Sequence, residues 1–254
     1  AQSAPGGGGG DGGSASTTTE APTTTTTVPP GPVENGVVTT RAGSTGGFAD
    51  GTGASAKFSS PNGVAVGPDG TIYVADSGNH RIRAVTPGGV VTTLAGSTQG
   101  SADSTGAGAM FSTPYGVAVG PDGTIYVADA YNHRIRAVTP GGVVTTLAGS
   151  TPGLADGTGA SAKFTSPTGV AVGPDGTIYV ADNGNYRIRA VTPGGVVTTL
   201  AGSALGFADG TGASAKFNSP SGVAVGPDGT VYVADNGNHR IRAVTPGGVV
   251  TTLA

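Results

Sequence analysis

The 254-residue sequence contains no cysteine, so neither disulfides nor thiolate chemistry is available to it, and the compartment is left open. Charged residues make up 11%, where ~25% is usual. A chain so poor in charge cannot rest on surface ion pairs and must be built from turns and small apolar strands. The formal net charge is −3, so no basic field points to nucleic acid. No run of 18 apolar residues occurs, so no helix long enough to span a bilayer is expected and no membrane insertion follows. A charged n-region followed by an apolar h-region is also missing. If the protein is exported, its signal peptide is absent from this sequence.

What is present divides in two. Residues 1–36 are low in complexity, with glycines from Gly6 to Gly13 followed by threonines interleaved with Pro22, Pro29, Pro30 and Pro32. Glycine tracts are flexible and Thr/Pro stretches are extended and solvated. Few apolar groups offset the entropy of ordering, so this segment is expected to be a disordered linker or stalk. Ser/Thr-rich segments with proline also suit O-glycosylated stalks, as in secreted surface proteins.

From Val37 onward the sequence repeats. Asp76, Asp129, Asp182 and Asp235 are spaced 53 apart, and residues 143–195 differ from 196–248 at seven positions. Self-similarity at this period signals a repeat architecture. Within one unit, Gly63–Val66 is a short branched run and Gly67-Pro68-Asp69-Gly70 is a turn. Thr71–Ala75 is rich in strand formers, Asp76–Asn79 turns, and Arg81–Val85 alternates apolar and polar. Thr86-Pro87-Gly88-Gly89 turns again and Val90–Leu94 forms a fourth strand. Four strands with tight turns make a meander, and a meander per repeat predicts an all-β fold of four-stranded antiparallel propeller blades. Phe58, Phe111, Phe164 and Phe217 close the long loop between units and are expected to wedge between blades.

The segment Tyr73-Val74-Ala75-Asp76 with Asn79-His80-Arg81-Ile82, and its copies through Asn238-His239-Arg240-Ile241, resembles the NHL repeat. The resemblance covers residues 37–254. It implies a β-propeller, commonly six-bladed, used mostly for protein and sometimes RNA binding, with lyases and hydrolases as a minority. Four complete units are present, preceded by one surplus fourth strand at Val37–Arg41. Three explanations stand side by side: a partial propeller, a four-bladed ring with an extra strand, or partial rings that self-associate.

Strand alternation places the two invariant turns of each unit on one face and the Asp76–His80 turn with the long loop on the other. Differences between copies gather on this second face. They include Asn62, Tyr115, Thr168 and Ser221, expected at the channel mouth, the turn residue Tyr131, and the series His80, His133, Tyr186 and His239. These are the candidate binding residues. Asp76 with Arg81, and likewise Asp129 with Arg134, Asp182 with Arg187 and Asp235 with Arg240, are expected to form a structural ion pair or turn cap.

Catalysis needs different groups converging on one point. Here every aspartate after residue 36 falls in one of three repeated positions, no glutamate occurs in the repeats, and all three histidines share one position. The channel-mouth series carries no carboxylate, which argues against a channel metal. Asp50-Gly51-Thr52-Gly53 lacks the alternating acids of a calcium loop. No cofactor, metal or nucleic acid is expected. The leading expectation is a non-enzymatic extracellular or cell-surface scaffold that binds protein or glycan. A propeller hydrolase, lactonase or lyase, and a structural assembly repeat, are the alternatives.

Overall fold

The computed structural model describes residue 36 and residues 38–253. The proposed stalk, apart from residue 36, and Val37 lie outside the described residues. Four antiparallel sheets follow one another along the chain. In the first, β2 (Pro61–Val66), β3 (Ile72–Asp76), β4 (Arg81–Val85) and β5 (Val90–Gly96) form the expected meander. The same elements recur in the second sheet from Pro114–Val119, the third from Pro167–Val172 and the fourth from Pro220–Val225. Among the described residues the only helical segments are single 3₁₀ turns.

The turns act as the sequence dictates. Asp69 accepts from the Thr71 backbone N–H at 3.0 Å and from the Thr71 hydroxyl at 2.8 Å, while Gly70 takes φ +80°. A positive φ at this turn position favours glycine, which has no Cβ to clash.

Two expectations are corrected. Each sheet has five strands rather than four, because β1 (Gly51–Thr52) pairs with the outer edge of β5. The loop entering a blade thus crosses its outer edge before reaching the inner strand. Residues 38–41, expected to form an extra strand, adopt no regular structure. Here no β4-type strand of a preceding blade is present among the described residues to pair with them.

The sheets stack as wedges. Tyr73, Ala75, Ile82 and Ala95 of the first sheet pack against Phe111, Val117, Ile125 and Val138 of the second, and the pattern repeats at the next two interfaces. Phe111, Phe164 and Phe217 are fully buried as interblade wedges. Burying a side chain of this size contributes ~1.5–3 kcal/mol. Phe58, on the first blade, is only partly buried, no earlier blade lying over it among the described residues.

The inner strands converge so closely that only glycine fits. A Cβ on Gly63 would come within 2.5 Å of the Tyr115 carbonyl oxygen, and one on Gly169 within 2.4 Å of the Ser221 carbonyl oxygen. On Gly222, in the fourth blade, it would meet only Ala234 at 3.8 Å. Among the described residues the four blades therefore form an arc in which the first and last blades do not meet.

Candidate functional site

Convergence of the inner strands sets Asn62, Tyr115, Thr168 and Ser221 side by side on one face, around a polar mouth of about 390 Å³ that Asn236 also lines. Each of these residues directly precedes a hub glycine or, for Ser221, its counterpart Gly222, so the close approach of the strands brings the four together. The mouth is held by hydrogen bonds across blades. Asn62 Nδ2 donates to Ser77 Oγ at 2.8 Å, and Ser77 Oγ donates in turn to the Pro114 carbonyl. Thr168 Oγ1 donates to the Ser221 carbonyl at 3.0 Å, and Asn183 Nδ2 to the Pro220 carbonyl at 2.9 Å. Tyr115 stands half exposed at the mouth.

The histidine series sits elsewhere. His80, His133, Tyr186 and His239 each end a 3₁₀ turn in the left-handed region, at φ 56–58°. His80 Nδ1 accepts from the Thr113 backbone N–H at 3.1 Å, and His133 Nδ1 from Ser166 N–H at 3.0 Å. These two imidazoles therefore link successive blades through an unprotonated nitrogen. Burial pushes the His133 imidazole below its ordinary value, against the charges of Asp182 and Asp129. Tyr131 projects from its turn with 64% of its surface exposed. The structure does not bring the histidines or Tyr131 into the mouth with Tyr115.

The expected pairing of Asp76 with Arg81 is replaced by another. Both arginines of β4 share the face of Asp76, but Arg83 is the one buried under the entering loop. Arg83 Nη1 meets Asp76 Oδ2 at 2.7 Å and the Lys57 carbonyl at 3.1 Å, while Nη2 reaches the Ala49 carbonyl at 2.9 Å and the Asp50 carboxylate. The same clamp joins Arg136 to Asp129, Arg189 to Asp182 and Arg242 to Asp235. Arg81 instead lies 4.0 Å over the Phe48 ring and donates to the Asn79 carbonyl, and Arg240 lies likewise over Phe207. Arg134, which has serine at the stacking position, donates to the Ser101 carbonyl, and Arg187 donates to the Asn185 carbonyl. The turn-cap half of the expectation holds in a different form: Asp76 accepts from Asn79 Nδ2 and from the Ser59 backbone N–H. Sequence reading missed Arg83 because two arginines two residues apart present the same strand face, and only the loop above selects between them.

All twelve aspartates of the repeats are engaged in structure. The Asp50 series holds the clamp arginine and the fourth strand, as Asp103 does through Arg136 and the Thr146 N–H. The Asp69 series caps turns. The Asp76 series is buried on arginine. Burial raises the Asp103 carboxyl, but the Thr146 N–H and the Arg136 guanidinium outweigh it and hold it below its ordinary value. Asp156 and Asp209 are lowered in the same surroundings. The Thr124 N–H and hydroxyl hold Asp122 down, and Thr177 does the same for Asp175. Burial pushes Asp129 and Asp182 up, against their asparagine, backbone and arginine partners. Among the described residues no group of three or more His, Asp or Glu side chains gathers as a metal would require.

Similarity to known proteins agrees with this geometry. The chain is 33% identical over 196 residues to Protein SUPPRESSOR OF QUENCHING 1, chloroplastic, of Arabidopsis thaliana, a match covering 68% of this chain and 18% of that protein. It is 33% identical over 227 residues to Teneurin-3 of Mus musculus, covering 75% of this chain and 8% of that one. The chain thus spans under a fifth of either relative. Its fold matches an auxiliary nutrient binding protein from Bacteroides thetaiotaomicron at TM-score 0.61 and 20% identity, over 78% of this chain and 49% of that one. It also matches virginiamycin B lyase from Staphylococcus aureus at TM-score 0.55 and 18% identity, over 76% and 55% of the two chains. The NHL repeat family matches residues 58–85, 111–138, 164–191 and 217–244, one match per blade. With four such repeats folded as successive propeller blades, the chain belongs to the NHL-repeat β-propeller family.

Proposed function

We propose that this protein is a non-enzymatic scaffold that binds a protein or glycan ligand at the hub mouth, outside the cell or at its surface. One observation carries the reading: of the positions that differ between near-identical blades, one full series, Asn62, Tyr115, Thr168 and Ser221, converges on the mouth, while the carboxylates that could do chemistry are spent on clamps and turn caps. A binding site needs varied, oriented polar groups around a concave surface, and aromatic anchors carry much of the affinity at such sites. Tyr115 is the aromatic group of the mouth, and Tyr131 stands on the same face. The nutrient-binding neighbour shares the fold alone at 20% identity. The lyase neighbour shares the fold alone at 18% identity.

Screening the full chain against a printed glycan array and a displayed peptide library tests the proposal. A binder whose signal falls at least about tenfold on Tyr115→Ala supports it, since interface aromatics commonly contribute more than ~1 kcal/mol. A binder indifferent to Tyr115→Ala and to Thr168→Ala, or turnover of a lactone or streptogramin substrate by the purified chain, overturns it.

A further inference from the structure

The second blade departs from the other three at one spot on the loop face, and the departures adjoin one another. In the first and fourth blades a phenylalanine of the entering loop roofs an arginine: Arg81 lies 4.0 Å from the centre of the Phe48 ring, and Arg240 4.0 Å from that of Phe207. The third blade has Leu154 at the roof position, and the second has Ser101, a side chain too short to cover Arg134. Arg81, Arg187 and Arg240 each donate at 2.7–2.9 Å to the carbonyl of the asparagine two residues earlier. Arg134 instead bends to the Ser101 carbonyl, at a long 3.3 Å. Of these four arginines only Arg134 has its Nε buried without an acceptor among the described residues. A buried donor left unpaired is costly.

The surroundings of Arg134 differ in kind as well. Where the second blade has Tyr131 the others have glycine, and a Cβ there would come within 2.5 Å of Ser59 Oγ in the first blade and 2.4 Å of Asn218 in the fourth. The second blade accommodates Tyr131 with Ser112 Oγ accepting from Gln99 Nε2 at 2.9 Å, and leaves the tyrosine 64% exposed. Where the others have Lys57, Lys163 and Lys216, the second has Met110, which lies against Gly100 beside Ser101. Asn132, next to Tyr131, ties the two sides together by donating Nδ2 to the Gly100 carbonyl at 2.6 Å. This blade has a neighbour on each side, so the arrangement owes nothing to either end of the arc.

We infer that the vacant roof over Arg134 takes an aromatic side chain of a protein partner, whose ring lies on this guanidinium as Phe48 lies on Arg81. The first and fourth blades supply the template within the same chain. A guanidinium attracts the face of a ring, and a thioether packs favourably beside one. With a ring seated, Arg134 is free to donate to the Asn132 carbonyl as Arg81 does to that of Asn79. Replacement of the lysine by Met110 removes a cation that a phosphate backbone would seek, which favours a peptide over a nucleic acid. Tyr131, outside the hub mouth, stands beside the slot, so this contact holds whether or not the mouth itself binds.

Nuclear magnetic resonance of the Arg134 Nε–H in the full chain tests this. The probes are capped Gly-X-Gly tripeptides with phenylalanine, tyrosine, leucine or glutamate at X, and adenosine monophosphate. The two aromatic peptides are expected to move the signal upfield and saturably, and to bind about twofold to fivefold more tightly than the leucine peptide, the range of an exposed cation–π contact. The Nε–H of Arg187, already under Leu154, is expected to stay in place. Ser101→Phe rebuilds in the second blade the roof of the first and fourth, so its circular dichroism and thermal melt should match the parent. Its Arg134 signal should start at the ring-shifted position and move no further with the phenylalanine peptide. No movement in the parent up to the solubility limit of the peptides overturns the inference. So does a leucine or glutamate peptide that binds as tightly as the phenylalanine one, adenosine monophosphate binding more tightly than either aromatic peptide, or an equal response in the parent and Ser101→Phe.

Discussion

Gly116 lies so close to Thr168 that a Cβ on it would sit 2.3 Å from the Thr168 carbonyl oxygen. No real Cβ tolerates that distance to backbone, so the two inner strands would have to part. Overpacking of this kind costs ~1–3 kcal/mol. Gly116→Ala is expected to lower the thermal midpoint by roughly 2–12 °C, given ~2–4 °C per kcal/mol for a domain of this size. Gly222→Ala, whose added carbon meets only Ala234, is expected to leave the midpoint of the single arc where it is. Differential scanning calorimetry of the two variants checks the contrast.

The clamp arginines and their neighbours two residues earlier separate just as clearly. Arg136 is fully buried between Asp129 and Asp103, whereas Arg134 bonds only the Ser101 carbonyl at 3.3 Å. Removing one partner of a buried pair leaves an uncompensated charge and costs ~3–5 kcal/mol. Arg136→Met is therefore expected to destabilise strongly in urea unfolding, and Arg134→Ala by less than ~1 kcal/mol. Equal losses for the two would contradict the assigned clamp.

The carboxylates set the acid limit. Asp103, Asp156 and Asp209 are held below the ordinary value of 3.8, as are Asp122 and Asp175. A lowered folded pKa gives stability that is complete above the unfolded value and is lost as pH falls through the lower, folded value. Asp129 and Asp182 are raised and act in the opposite sense, their share being present below 3.8 and lost as pH rises through their folded values. The share of the urea midpoint that these lowered carboxylates supply is thus expected to hold on mild acidification and to fall once pH drops below 3.8. Asp103→Asn should make that fall shallower.

His133 gives a second pH dependence in a separate range. Its lowered pKa means that the folded state binds a proton less readily than the unfolded state. Its stabilising share is complete above 6.5 and declines as pH falls from there towards the folded value. Protonation of Nδ1 also abolishes the bond from the Ser166 N–H. Native-state hydrogen exchange should show Ser166 N–H losing protection on acidification below 6.5 in the parent, and unprotected throughout in His133→Ala.

The meander was legible because each strand is bounded by a turn whose chemistry is explicit: Gly67-Pro68-Asp69-Gly70 and Thr86-Pro87-Gly88-Gly89 leave one reading. The channel-mouth series was legible because Asn62, Tyr115, Thr168 and Ser221 vary where neighbouring residues do not. The short β1 strand was not, because two residues carry no periodicity and Gly51 and Thr52 read as loop. The Asp76–Arg83 clamp was hidden for a related reason. Arg81 and Arg83 share a strand face, and the choice between them depends on a loop folding over from 33 residues earlier in sequence. The histidines looked like ligand-facing tips, yet the left-handed backbone at His80 and His133 sets their rings against the next blade.

A paired titration tests the binding claim most directly. The glycan or peptide selected in the screens is titrated onto Tyr115→Ala, at the variable mouth, and onto Pro140→Ala, in an invariant turn of the opposite face. A loss of affinity of at least about tenfold for the first and none for the second is predicted. A loss confined to Pro140→Ala would place recognition on the wrong face and contradict it.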